Sequence, residues 1–566
     1  MEQGATGTIQ NCTFLNCNTP ATHADRANGG DDGGAIGAFG TGTNLTVIDT
    51  TFDNCDALGL NGDGSDGRGE GGAIRFNGEN TDRAQGDAGD GFLTIDGCVF
   101  VNCDASNDGG AIDFGGSGQA NGTFTVTNST FTDCNAADDD GGAIEMQGLT
   151  DDHRTPLNYD PANDGGFITN PERGDETWSS AIITGCSFIR CTTQADADGV
   201  GSPTNGGDDG GALRFSNAFG SIVIDNCYFT GCTANDDEGV ISTSESDTGS
   251  MVLTNNIFDG NSVGDDHLNG IRANFNATVN NTFVNNVLAD EGVLRLETGG
   301  STWPVSPEAL DKPHSYVFNN IFANNSWSVA NATADTIERG GASDDADSVA
   351  YIENNIFFNT AGDLGLIEGD NPIDEAGIAA VNQVDVDPMF VSATDFHLQA
   401  GSPAIDAGVG SAALDNGAGG SSTANAPSDD FDGVSRSGSP DIGAYEFFTA
   451  PPEPQTDIQS NVWPPFIDEG TTVVLTAPDG TGFQWFKNGT PINGQTNQTL
   501  VFDSITEQDE GDFTVSYNDG TADVAAGPFE MLVNPIGTVP VTGLFGLVAL
   551  AAACSVGGAR VIRRRK

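Results

Sequence analysis

The stretch Asn11-Cys12-Thr13-Phe14-Leu15-Asn16-Cys17 opens a phrase that recurs through the first two-thirds of this 566-residue chain. Its central ring returns at Phe52, Phe100, Phe131, Phe188, Phe229, Phe258, Phe283, Phe322 and Phe357, at intervals of 25 to 57 residues. Self-similarity at an irregular but bounded period marks a solenoid. Each repeat is one coil, and a coil buries its apolar side only by stacking on the next.

A second phrase alternates with the first. It reads Asp31-Asp32-Gly33-Gly34-Ala35-Ile36, then Glu70-Gly71-Gly72-Ala73-Ile74, with further copies at Asp108, Asp140 and Asp209 and degenerate ones at Asp237-Glu238-Gly239 and Asp290-Glu291-Gly292. The residues behind the glycines alternate as a strand does, with Ile74 facing in and Arg75 facing out. A third apolar stretch precedes the phenylalanine phrase, as in Phe92-Leu93-Thr94-Ile95 and Ser221-Ile222-Val223-Ile224. One coil is therefore expected to hold two or three short strands, and no part of the rod shows helical spacing. The expected fold class is all-β: a parallel β-helix solenoid over residues 1–383, about ten coils long, with strands about 4.8 Å apart. The longer intervals imply loops thrown out of the stack, the largest near 147–178.

The cysteines follow the same pattern. Eleven are present, and Cys12/Cys17, Cys98/Cys103, Cys186/Cys191 and Cys227/Cys232 share one spacing. Later coils put asparagine at both positions, as in Asn256 and Asn261, Asn281 and Asn286, Asn320 and Asn325. A metal ligand or half-cystine does not interchange with an amide, whereas a small buried ladder residue does. The five histidines show no ligand-like spacing.

The formal net charge is −63, from 82 acids against 19 bases. Such a surface repels nucleic acid and anionic membranes. Solubility in a saline exterior accounts for it, and so does cation binding. The acid ahead of each Gly turn recurs as Asp32, Glu70, Asp108, Asp140, Asp209, Asp237 and Asp290. Stacked on adjacent coils, each neighbouring pair would repel by roughly 1 kcal/mol even in water's dielectric. Calcium, which takes six to eight oxygens, would relieve that.

Past Phe357 the text changes. Asp395-Phe396-His397-Leu398-Gln399-Ala400-Gly401-Ser402-Pro403-Ala404-Ile405-Asp406-Ala407-Gly408 is followed by Pro440-Asp441-Ile442-Gly443-Ala444-Tyr445-Glu446-Phe447. These two motifs, in this order, make residues 384–447 resemble the C-terminal segment of bacterial surface proteins of the choice-of-anchor Q type. The resemblance implies a right-handed parallel β-helix and an anchoring tail. It leads us to expect that the segment caps the last coil, whose open edge strands would otherwise pair with other chains.

A proline-rich linker, 448–460, precedes four short strand-like runs in 461–534. With Trp485 as core tryptophan, Phe513 at a usual tyrosine position, and Ala477 and Val515 where the disulfide would be, this part resembles a bacterial immunoglobulin-like domain. The tail, 535–566, holds Val539, Pro540, Val541, Thr542 and Gly543, an apolar run to Ala559, and a basic end from Arg560 to Lys566. The run 542–559 has the length of a short membrane span. The tail resembles a C-terminal sorting signal, and the pentapeptide resembles a sortase motif with valine in place of leucine. The basic end is expected to stay cytoplasmic and the rest outside. An export signal is expected ahead of Met1.

The functional expectation is an exported, C-terminally anchored protein of the cell surface or outer envelope, structural or adhesive and non-catalytic, with carbohydrate or envelope components as partners. Choice-of-anchor Q proteins are often labelled pectate-lyase-like, which keeps open a polysaccharide lyase or glycoside hydrolase. Such an enzyme would use the outward column Arg75, Asp113, Glu145, Arg214 and Arg295, beside a loop carrying Tyr159 and Trp178. Salt-bridge pairing along a strand face explains the same column without catalysis, and no catalytic residue is assigned.

Overall fold

Asparagine, aspartate and glycine tolerate the left-handed backbone region that other residues avoid, and this chain turns its corners with them. The computed structural model describes residues 4–534 except for 20–32, 41, 58–68, 78–89, 116–120, 138–139, 148–179, 194–208, 217–220, 236–237, 244–249, 265–266, 274, 290, 298–313, 329–334, 340–348, 361–362, 368–372, 416–420, 437, 448–457, 461–465, 469, 479 and 519–522. The chain divides into two compact units, residues 1–448 and 449–566.

In the first unit each coil but the last contributes described strands to four sheets. In the first coil these strands are Thr6–Gln10, Thr13–Leu15, Asn18–Thr19 and Ile36–Phe39. Like strands of successive coils pair in parallel, giving sheets of ten, eleven, nine and ten strands. The expected two or three strands per coil become four because the phenylalanine phrase itself holds two corners. Asn11, Asp49, Gly97, Asn128, Gly185, Asn226, Asn255, Asn280, Asn319 and Asn354 turn the chain from the first sheet into the second, with φ between 46° and 65°. A matching set from Asn16 to Asn359 turns it into the third. Arg190 is the exception in that set, and it forks onto Asp133 of the preceding coil at 2.7 and 2.8 Å.

The register puts every phenylalanine of the repeat in one line. Ten rings from Phe14 to Phe357 stack face to face, with neighbouring centroids 4.7 to 5.1 Å apart and planes within 9° of parallel. From Phe52 onward the rings are buried in one continuous core. Flanking them run two ladders of cysteine that give way to asparagine. The described cysteines are free thiols, and eight of the ten are buried. Burial pushes the Cys98 thiol up to about 11. Where asparagine takes over, each amide serves two neighbours. Asn281 Nδ2 donates to Leu253 O at 2.9 Å and Asn320 Oδ1 at 3.1 Å, while its Oδ1 accepts from Asn256 N at 2.8 Å. Both residue types fill the same small space and satisfy the same corner backbone, as the interchange in the sequence predicts.

The last coil is closed by a short helix, Glu375–Val381, capped by the Asp374 side chain. Its Ile378 is fully buried in the main core, and Asn354 N donates to Val381 O at 3.1 Å. The segment after it caps the last coil only at its start, where Val384 pairs with Phe357, and the rest of it leaves the end of the stack. Phe396, Leu398, Ala404, Ile442, Ala444 and Tyr445 pack against outward-facing Ile257, Val284, Ile321, Ala323 and Ile356 of the second sheet. A hairpin, Ser411–Asp415 with Ser421–Asn425, covers Tyr316 and Phe318 of the first. The segment is thus a strap along the flank. Corner asparagines hold it: Asn226, Asn255, Asn280 and Asn319 donate side-chain N–H groups to the carbonyls of Phe431, Asp429, Asp441 and Val409, at 2.7 to 3.2 Å.

The second unit packs a three-stranded sheet and a five-stranded sheet around one core. Trp485 is fully buried there with Ala477, Phe513 and Val515, and its indole donates to Asn497 O at 2.9 Å. Among the described residues no helix is long and apolar enough to cross a membrane. The expected span and sorting residues, 535–566, lie outside the described residues.

Candidate functional site

The fourth sheet follows the Gly turns, so its outward positions and the acids ahead of the turns lie side by side. Glu70, Asp108, Asp140 and Asp209 stack on successive coils: Gly71 N donates to Asp108 O, Gly109 N to Asp140 O and Gly141 N to Asp209 O, at 2.9 to 3.0 Å. Asp32, Asp237 and Asp290 lie outside the described residues. The outward column is in register as well, with Arg75 opposite Asp113, Asp113 opposite Glu145, and Glu145 opposite Arg214. Arg295 sits further along, opposite Glu338.

The two columns close on each other. Arg75 bridges Glu70 and Asp113. Arg214 reaches Asp140 at 3.1 Å, Asp209 at 2.5 Å and Glu238 at 4.0 Å. Glu145 Oε1 accepts from Gln147 at 3.2 Å and Ser216 at 3.0 Å. Although they face out of the coil, Arg75, Asp113, Glu145 and Arg214 are only 0 to 7% exposed. Burial works against the Arg214 charge, but Asp140, Asp209, Glu238 and Glu145 together raise its pKa. Burial, reinforced by Glu145 and Glu70, pushes the Asp108 carboxyl well up, and Asp140 also rises by burial, opposed by Arg214.

Sequence reading missed Glu238. Coil register sets it at the left-handed position that Gly33, Gly71, Gly109, Gly141 and Gly210 hold in earlier coils, and it adopts a φ of 39°. Its fully buried carboxylate accepts from Ser242 Oγ at 2.9 Å. A glutamate where glycine is the rule is a strained choice, and that break in the Gly-Gly phrase was the available signal. Sequence reading also missed a cluster of His267, Glu291 and Glu338, one residue from each of three successive coils.

On the strap, His397 Nδ1 meets Asp395 at 2.6 Å and Nε2 meets Asp432 at 2.8 Å, with the ring stacked on Tyr445 at 3.9 Å. Asp432, opposed by partial burial and helped by Asp395, raises the His397 pKa to about 9. A groove of about 390 Å³ opens between the strap and the second sheet, lined by Val284, Phe358, Met389, Phe390 and Phe396 among others. Tyr159 and Trp178, expected to border a substrate, lie outside the described residues.

The chain matches no protein-family model, no curated protein and no solved structure.

Proposed function

We propose that this chain is an exported, surface-anchored β-helix rod with a structural or adhesive role and no catalytic one. In this reading the winding is right-handed, the sense that parallel crossovers overwhelmingly take. The strap is the choice-of-anchor Q-like segment, the second unit an immunoglobulin-like spacer, and the tail the anchor and sorting signal. Two sheets around Trp485, with Ala477 and Val515 buried beside it, support the spacer assignment. Envelope components or glycans are the partners, met through loops and the strap groove.

The observation that carries the non-catalytic reading is the closure of the charged column. A lyase or hydrolase needs a charged group that substrate can reach. Here Arg75, Asp113, Glu145 and Arg214 are buried and engaged with their own neighbours. Arg75 and Arg214 supply much of the counter-charge that calcium would otherwise provide. Seven buried or half-buried carboxyls (Glu70, Asp108, Asp113, Asp140, Glu145, Asp209 and Glu238) still face two guanidinium groups. Glu70, Asp108 and Asp113 each bring an oxygen within 4.8 Å of the other two, and they would hold calcium if it enters, since its ligands are oxygens.

The test is a thermal melt of the full chain with and without millimolar calcium, followed by a screen of uronate and neutral glycans for product release. Glycan retention without products supports the proposal, and product release overturns it. A calcium-dependent rise in Tm that Asp108→Asn abolishes places the ion at this column.

A further inference from the structure

The groove between the strap and the second sheet joins two kinds of surface. Phe358 and Phe390 stand half-buried in its lining. Phe390 meets the buried Phe396 ring edge to face, with centroids 5.4 Å apart and planes at 72°. Three amides line the groove as well, each engaged on one side. Asn359 Nδ2 donates to Asn324 Oδ1 at 2.9 Å, Asn285 Nδ2 donates to Asp259 Oδ1 at 2.9 Å, and Gln399 Nε2 donates to the Phe390 carbonyl at 2.6 Å. Among the described residues, Asn324 Nδ2, Asn285 Oδ1 and Gln399 Oε1 have no partner. A donor and two acceptors are thus left beside apolar rings. The strap edge of the groove is also strained. Met389 holds a left-handed φ of 56°, its N–H donates to Asp387 Oδ1 at 2.8 Å, and its carbonyl accepts from Gln399 N at 2.9 Å. Such strain in a residue other than glycine gathers where a ligand is clamped.

We propose that this groove is a binding site for a short stretch of neutral glycan. The inference rests on the glycan-binding reading above and narrows it to a place and a sugar class. Ligand pockets run from about 300 to 1,000 Å³, and this one, at about 390 Å³, suits a small ligand. A pyranose ring has an apolar C–H face that lies on an aromatic ring and a rim of hydroxyls that both donate and accept. Isolated amide atoms beside phenylalanine rings match that alternation. Asp387 is the one ionisable residue in the lining, with no lysine, arginine or histidine. Uronates and sulfated sugars find no counter-charge there and are repelled by a chain of net charge −63. Small cations are drawn to the whole of such a surface, so charge gives them no reason to settle in this groove. A peptide would need a row of unpaired backbone groups to pair with. The strap backbone here pairs with itself instead, Val391 N donating to His397 O at 2.9 Å and Ser392 N to Asp395 O at 3.1 Å.

The experiment uses the full chain. Cello-, xylo-, manno- and chito-oligosaccharides are titrated by calorimetry, with oligogalacturonate as the anionic probe, and each mixture is checked for product release. We expect at least one neutral series to bind at a single site. Phe390→Leu keeps an apolar side chain and removes the ring, and Asn324→Ala removes an exposed donor. Each should weaken binding about tenfold, with circular dichroism as the folding control. Neutral-sugar affinity unchanged in both variants would put the sugar elsewhere and overturn the inference, while the glycan-binding reading stands. Oligogalacturonate bound as tightly as the neutral series would overturn the sugar class. No binding of any probe would overturn the inference and the glycan-binding reading together. Product release with binding that both variants weaken would support the groove and overturn the non-catalytic reading alone.

Discussion

The phenylalanine ladder makes a quantitative demand that differs by position. Phe188 is fully buried and stacks on both Phe131 and Phe229 at 4.9 Å. Phe14 is half-buried and stacks on Phe52 alone, at 5.0 Å. Truncating a buried phenylalanine to alanine costs about 3–5 kcal/mol, of which the cavity is part, and each stacked pair is worth about 0.5–1.5 kcal/mol beyond its area. Phe188→Ala should therefore fall in the upper part of that range, and Phe14→Ala near or below its lower limit. In a stack whose coils touch only their neighbours, the loss is local. The assay is hydrogen exchange followed by mass spectrometry, read at the strands Ser180–Thr184, Ser187–Ile189 and Ser221–Asp225, with urea unfolding of the whole chain alongside. Protection should fall in those strands and persist near Phe322. Equal losses from the two substitutions, or a loss spread evenly along the rod, would refute the ladder as the source of stability.

Three further outcomes are expected. Asn281→Ala leaves the Asn256 amide and a corner carbonyl without their buried partners, a cost of about 1–3 kcal/mol for each unsatisfied group. Asn281→Cys, the exchange the chain itself makes between coils, should cost less in the same urea melt. Iodoacetamide applied to the native chain should label exposed Cys12 and partly exposed Cys17 while sparing the eight buried thiols, and labelling of Cys134 without unfolding would contradict the packing. The carboxylate of Asp432, with that of Asp395, raises the His397 pKa in the folded chain to about 9 from the ordinary 6.5. A raised histidine pKa contributes stability that is complete below the unfolded value and lost as pH climbs through the folded one. The His397 increment should therefore disappear between about pH 6.5 and 9, and His397→Gln should flatten the stability profile in that window.

What the sequence discloses depends on whether a feature repeats in every coil. The phenylalanine line, the cysteine-to-asparagine exchange and the inward Ile74 facing of the fourth sheet all recur at fixed places inside a phrase, so the text alone places them. The stacking of Glu70, Asp108, Asp140 and Asp209, and their neighbours Arg75, Asp113, Glu145 and Arg214, were legible for the same reason. The count of strands was not, because Thr13–Leu15 and Asn18–Thr19 are too short to show an alternation. Nor was the joining of the two columns into one ion-pair network, since a side chain's reach across a turn leaves no periodic trace. His267, Glu291 and Glu338 are brought together by register across coils of unequal length, so their sequence spacing carries no signature. The path of the strap depends on outward-facing Ile257, Val284, Ile321 and Ile356, which read in sequence as ordinary strand residues.

The strap also determines how tension would travel. It is the last described part of the first unit, so a pull on residue 447 loads the strap before it loads any coil. Four corner asparagines spread along its length, at Asn226, Asn255, Asn280 and Asn319, share that load, together with the apolar contacts between them. Bonds loaded together in shear resist far more force than bonds opened one at a time, as happens when a terminal strand is peeled from its neighbour. Among the described residues the asparagine tethers begin at Asn226, so a pull on the coils before it is resisted by the stack without them.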